Sequence, residues 1–161
     1  MRRPWTRLAL ASAAALTLAS VQAVALAAPQ DEASQNEASP ITLDLYNLTD
    51  VHGHIQQVAK KGVVREAGLP AMNCYLKKAT QENPNSSFTL LGDNIGASPY
   101  ISGALKDNPT IAALNTMAPL ASTIGNHELD MGQAVFKQRV DGSNPGEFVQ
   151  ATFPYLGANI E

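Results

Sequence analysis

The sequence predicts an α/β fold, on three observations. Strand-like and helix-like segments alternate from residue 41 onward. Each of the first three strand segments runs directly into a cluster of Asp, Asn, Gly and His. No internal repeat or low-complexity tract interrupts the alternation outside the first 40 residues. Such alternation favours a layered α/β arrangement, in which helices cover a largely parallel sheet.

The elements follow in order. In "ITLDLYNL" (41–48) Ile41, Leu43 and Leu45 alternate with polar partners, the period of a strand. "LPAMNCYLKKAT" (69–80) spaces Leu69, Met72 and Leu76 as a helix does, with Lys77 and Lys78 late, where they suit the helix dipole. The turn-rich "QENPNSS" leads into "FTLLGD" (88–93), a short apolar strand ending in Gly and Asp. "NPTIAALNTMAP" is expected to be a helix capped by Asn108, with Pro109 at its first position. "LASTIGN" (120–126) is a third strand, "GQAVFKQRV" (132–140) a third helix and "FPYLGANI" (153–160) a fourth strand. Cys74 lies beside Met72 and Leu76 in the first helix and is expected to be a buried small hydrophobe.

The first 27 residues carry the marks of an export signal: Arg2, Arg3 and Arg7, an uncharged alanine-rich apolar stretch, then the small residues Ala25 and Ala27. Cleavage is expected before Ala28, leaving no stable membrane insertion and an exported, cell-envelope or secreted product. Residues 28–40 form a polar, Pro-bounded spacer expected to be disordered. The folded part is then 41–161, long enough for one modest core. Without the three N-terminal arginines, 8 basic residues stand against 14 acidic ones, a net charge of −6. No clustered basic face is evident, which argues against a nucleic-acid polymer as partner. The sequence leaves the oligomeric state open.

The strand ends carry the chemistry. "TDVHGH", "GDN" and "GNHELD" would meet in one crevice if the strands are parallel, because ligands gather at the carboxyl ends of strands in open α/β sheets. Asp50, His52, Asp93, Asn126 and His127 would then share a focus. Carboxylate and imidazole donors without nearby thiolates suit a divalent ion such as Mn, Zn or Fe. Each cluster alone reads more readily as a turn than as a site, but "GNHE" is expected by chance in only about one chain in a thousand. His54 is open between a structural histidine and a wall of the site. The segment "HELDM" lacks the second histidine of a zincin. No Gly-x-Ser-x-Gly elbow or P-loop is present, which removes serine esterases and nucleotide-triphosphate switches.

"LTDVHGH", "LLGDN" and "TIGNHELD", in that order after an export signal, resemble the first three motifs of the calcineurin-like metallophosphoesterases. The nearest resemblance is to the secreted 5′-nucleotidase and 2′,3′-cyclic phosphodiesterase branch, over residues 41–161. It implies the N-terminal half of a four-layer α/β/β/α sandwich and two divalent metal ions (Mn, Zn, Fe or similar). It also implies hydrolysis of phosphate esters, most often nucleotides, by a hydroxide those ions activate. On this resemblance Asp50 and His52 ligate one metal, Asp93 bridges both, and Asn126 binds the second and contacts substrate. His127 faces the phosphate, stabilising the transition state or protonating the leaving group, and Asp130 orients it. Glu128 and Leu129 are expected only to carry the chain between these residues. The family's later Gly-His and Gly-His-x-His motifs have no counterpart here, since no histidine follows His127. The expectation is therefore a weak second metal site, an uncovered sheet face, and little or no activity from this length of chain. The other reading is a non-catalytic metal-binding or interaction module, a remnant of such an enzyme.

Overall fold

The computed structural model describes residues 39–158 and 160. The expected signal at 1–27, and the spacer up to residue 38, lie outside the described residues. Ser39 and Pro40 are exposed and without regular structure.

Four strands form the main sheet: β1 (Asp44–Leu48), β4 (Ser86–Leu90), β5 (Ser122–Thr123) and β6 (Tyr155–Leu156). They lie in the order β1-β4-β5-β6, and every neighbouring pair is parallel. In a parallel sheet all carboxyl ends lie on the same edge, so the three polar clusters must emerge together. That is the single topological fact on which the site depends. The register sets Tyr46 opposite Phe88 and Leu48 opposite Leu90, which aligns the two exits.

Three helices connect these strands. α1 (Gly68–Glu82) joins β1 to β4, α3 (Asn108–Met117) joins β4 to β5, and α4 (Gln133–Asp141) joins β5 to β6. One face of the sheet meets them. Leu90, Ile111 and Leu114 are fully buried, with Leu69, Ile95, Met117 and Phe153 close behind. Burying such side chains contributes about 1.5–3 kcal/mol each. Among the described residues nothing covers the other face. Leu45 is 71% exposed and Leu156 57%, and the polar contact there is Thr89 Oγ1 donating to Asn47 Oδ1 at 2.5 Å. Parallel sheets are ordinarily covered on both faces, so this layer has the form of the first half of a sandwich.

Several expectations need correcting. The strand segments are shorter than their apolar runs, because β5 and β6 keep only two residues each before the chain turns. The residue preceding α3 is Asp107, in the left-handed region at φ 57°, and not Asn108. Asn108 is the first helical residue, and its Oδ1 accepts from Arg139 and from the Val149 amide. Cys74 is exposed, not buried, because Leu69, Met72 and Leu76 turn toward the core and rotate position 74 outward. A hairpin unforeseen from the sequence, β2 (Val58–Lys60) and β3 (Val63–Glu66), precedes α1. Its turn residues Lys61 and Gly62 both have positive φ, 52° and 75°, as a type I′ hairpin turn requires. The short helix α2 (Tyr100–Gly103) was likewise unforeseen.

Candidate metal centre

The loops leaving β1 and β4 extend the sheet pairing past the strand ends. The Asp50 amide donates to Gly92 O at 3.3 Å, His52 to Asp93 O at 3.0 Å and Gly53 to Asn94 O at 3.1 Å. Continuing the ladder this way forces sharp local turns. Asp50, His52 and Asp93 all sit in the left-handed region, at φ 53°, 43° and 51°. Asp and His tolerate that region better than most residues. A run of such conformations marks a segment whose surroundings dictate its shape, as at binding sites.

His52 is aimed by a relay. Its Nδ1 lies 2.9 Å from Gly96 O. A carbonyl can only accept, so Nδ1 carries the proton and Nε2 presents its lone pair. The Gly96 amide in turn donates to Asp107 Oδ2 at 3.0 Å, and the other oxygen of Asp107 accepts from Ser102 Oγ at 2.7 Å. A histidine whose second nitrogen is bound to a carbonyl is the usual arrangement for a metal ligand.

His127 opens a 3₁₀ turn, His127–Leu129. Residues three apart eclipse in this helix type, so Asp130 falls directly beside His127, and its Oδ2 lies 2.8 Å from Nδ1. The hydrogen bond to Asp130 raises the His127 pKa above its ordinary value, with partial desolvation opposing it and the charges of Asp130, Asp93 and Glu128 adding to it. A pKa raised in the folded state makes the protonated ring stabilising. The contribution is fully present below the ordinary histidine pKa of about 6.5 and is lost as pH rises through the folded value. Titration of the metal-free chain by proton NMR is expected to show His127 ionising above that value and Asp130→Asn returning it downward. An unchanged midpoint in the variant would contradict the assignment.

These pieces converge. One potential ligand atom from each of His52, Asp93 and His127 lies within 4.8 Å of the other two. The two rings meet edge to face, with centroids 4.8 Å apart. Asp50 sits at the margin, 62% exposed, with Oδ1 3.8 Å from His52 Nε2 and Oδ2 accepting from Thr49 Oγ1 at 2.5 Å. Asn126 is exposed at the head of the 3₁₀ turn. His127 lies at the same focus as His52 and Asp93 rather than apart from it. His54 is held elsewhere, its Nδ1 2.6 Å from Glu66 Oε2 on the hairpin. The donor set fits a divalent cation: half-buried carboxylate and imidazole groups, each ring having its other nitrogen already committed.

Glu128 is the residue that sequence reasoning misjudged. It is 2% exposed and accepts from the Asp93, Asn94 and Gly125 amides and from Asn94 Nδ2. The available signal was a glutamate beside a histidine in a turn, and only the fold shows that it points inward.

No family model matches the chain. Over 125 residues it is 31% identical to the cell wall protein Lmo0130 of Listeria monocytogenes, an alignment covering 71% of this chain and 16% of that protein. It is 30% identical to a 2′,3′-cyclic-nucleotide 2′-phosphodiesterase/3′-nucleotidase of Yersinia enterocolitica, covering 99% of this chain and 22% of that one. The chain thus spans less than a quarter of the length of these relatives. Among solved structures, the calcineurin-like phosphoesterase YfkN of Bacillus subtilis superposes with a TM-score of 0.54 at 25% identity, over 71% of this chain and 36% of that one. With three strand-end motifs meeting at one sheet edge, and these likenesses in sequence and fold, the chain fits the N-terminal part of a calcineurin-like phosphoesterase.

Proposed function

We propose that residues 41–161 form the N-terminal part of an exported, metal-dependent phosphoesterase acting on nucleotides or related phosphate esters. The observation that carries the reading is the convergence of His52, Asp93 and His127 at the sheet edge, with His127 backed by Asp130. The names of the relatives support the substrate class, and the basic, apolar N-terminus together with a cell-wall relative supports export.

Asp50, His52 and Asp93 would hold one divalent ion, and Asp93 with Asn126 a second. When bound, such ions supply Lewis-acid neutralisation of phosphoryl charge and lower the pKa of water. The protein's own groups do the rest. Asp93 is fixed by the His127 amide, which donates to its Oδ1 at 3.0 Å and leaves the other oxygen free. The Asn126 amide group can donate to a phosphoryl oxygen. The His127 ring, with Nδ1 committed to Asp130, presents Nε2 to the leaving oxygen, and protonation there stabilises the departing alkoxide. The carboxylate of Asp130 keeps that imidazole in one tautomer and favours its charged form.

With only Asp93 and Asn126 among the described residues assigned to the second position, turnover is expected to be low, so metal binding is the sharper readout. Calorimetric titration with Mn²⁺ should show one ion bound firmly and a second weakly, with His52→Ala and Asp93→Ala losing the firm one. Mn²⁺-dependent turnover of 5′-AMP or 2′,3′-cyclic AMP should fall about 10²–10⁴-fold in His127→Ala. A wild-type chain that binds no Mn²⁺ would overturn the reading. Firm Mn²⁺ binding with no turnover under any condition would favour a metal-binding module.

A further inference from the structure

The 3₁₀ turn that sets His127 beside Asp130 necessarily aims the residue between them elsewhere. At about 120° per residue, Glu128 faces into the protein. Its Oε2 accepts from the Asp93 amide at 2.8 Å and the Gly125 amide at 2.8 Å. Its Oε1 accepts from the Asn94 amide at 2.9 Å and from Asn94 Nδ2 at 3.1 Å. An ionised carboxylate offers about four acceptor sites, and all four are used. The donors belong to two loops, the one leaving β4 and the one leaving β5. The stitch also runs in reverse, since Asp93 Oδ1 accepts the His127 amide.

We propose that Glu128 is a positioning residue for the metal centre: a buried carboxylate that clasps the two loops and fixes Asp93 and His127 before any ion arrives. The proposal rests on the metal-centre reading above. Asp93 occupies a left-handed conformation at φ 51° that the chain would not favour unaided. Its own amide is bound to Glu128 and its side chain to the loop Glu128 belongs to. The clasp therefore holds both the backbone and the carboxylate of one ligand. No neutral side chain can replace it. In Glu128→Gln, one of the two acceptor oxygens becomes an NH₂ group, which meets two donors whichever way the amide turns.

The test uses the full chain. Glu128→Gln is expected to weaken Mn²⁺ binding in calorimetry at least 10-fold, the range found when groups supporting metal ligands are removed. It should also alter the visible absorption of the Co²⁺-substituted protein, which reports ligand geometry. Ile111→Val, a core change remote from the loops, controls for lost stability and should leave affinity and spectrum unchanged. Wild-type affinity and spectrum in Glu128→Gln would overturn the proposal while leaving the metal centre intact. Absence of Mn²⁺ binding by the wild type would sink the centre and the proposal with it. If Glu128→Gln does not fold, amide exchange in the metal-free wild type decides. The Asp93, Asn94 and Gly125 amides should exchange at least 100-fold more slowly than unprotected amides, and exchange at the unprotected rate would overturn the clasp.

Discussion

Gly125→Ala is expected to abolish firm Mn²⁺ binding while leaving the helices folded. A Cβ at this position would fall inside contact distance of Asp93 Oδ1 and the Asp93 amide nitrogen, and 2.7 Å from Asp93 Cγ. None of these atoms can yield without cost. Oδ1 holds the His127 amide, and the Asp93 nitrogen is bound to Glu128. The methyl group must push Asp93 away or break the turn that delivers His127. Overpacking of this kind costs about 1–3 kcal/mol, which a domain can survive, but the displaced carboxylate is the proposed ligand. A loss of at least 100-fold in Mn²⁺ affinity by calorimetry, with far-ultraviolet circular dichroism preserved, is the expected result. Near wild-type affinity would show that Asp93 does not need this close approach.

Arg139→Ala should produce the largest loss of stability away from the site. Arg139 is 2% exposed on α4. Its Nη1 donates to Asn108 Oδ1 at 3.1 Å, its Nη2 donates to Lys106 O, and its guanidinium lies 4.8 Å over the ring of Phe148. Burial pushes its pKa below the ordinary arginine value, and the nearby Asp107 carboxylate opposes that shift. Arginine nonetheless stays charged at any working pH. One side chain thus ties α4 to the start of α3 and to the segment before β6. Truncation leaves a cavity, an unpaired carbonyl and a bare aromatic face, together about 3–5 kcal/mol. Thermal melting is expected to fall by roughly 10–20 °C, and a loss of under 3 °C or so would contradict the anchoring role. Because Asp107 also binds the Gly96 amide behind His52, metal affinity should weaken as well.

Much of the fold can be read along the chain because its signals are local. Leu69, Met72 and Leu76 mark α1 by periodicity alone, and the observed helix exceeds the expected span by a few residues at its ends. The strand-end clusters mark the loops because Gly, Asp and Asn accept the turns a strand exit needs. The hairpin at 58–66 is not legible in the sequence, because Lys60, Lys61, Arg65 and Glu66 mask the alternation of its strands. Cys74, expected from its apolar neighbours to be buried, is exposed because burial depends on which side of α1 meets the sheet.

For the proposed site, the sequence by itself supplied the candidate donors, Asp50, His52, Asp93, Asn126 and His127, and the three-residue step from His127 to Asp130. Those are properties of residue type and short spacing, which the backbone preserves wherever the chain goes. Tertiary structure alone decided that His52, Asp93 and His127 lie within 4.8 Å, that Gly96 and Asp107 aim His52, and that Glu128 closes the two loops. Apart from the Gly125 amide, which is three residues from Glu128, each of these joins residues some 10 to 75 apart in the chain. Parallel strand pairing and burial fix those partners, and no local pattern encodes them.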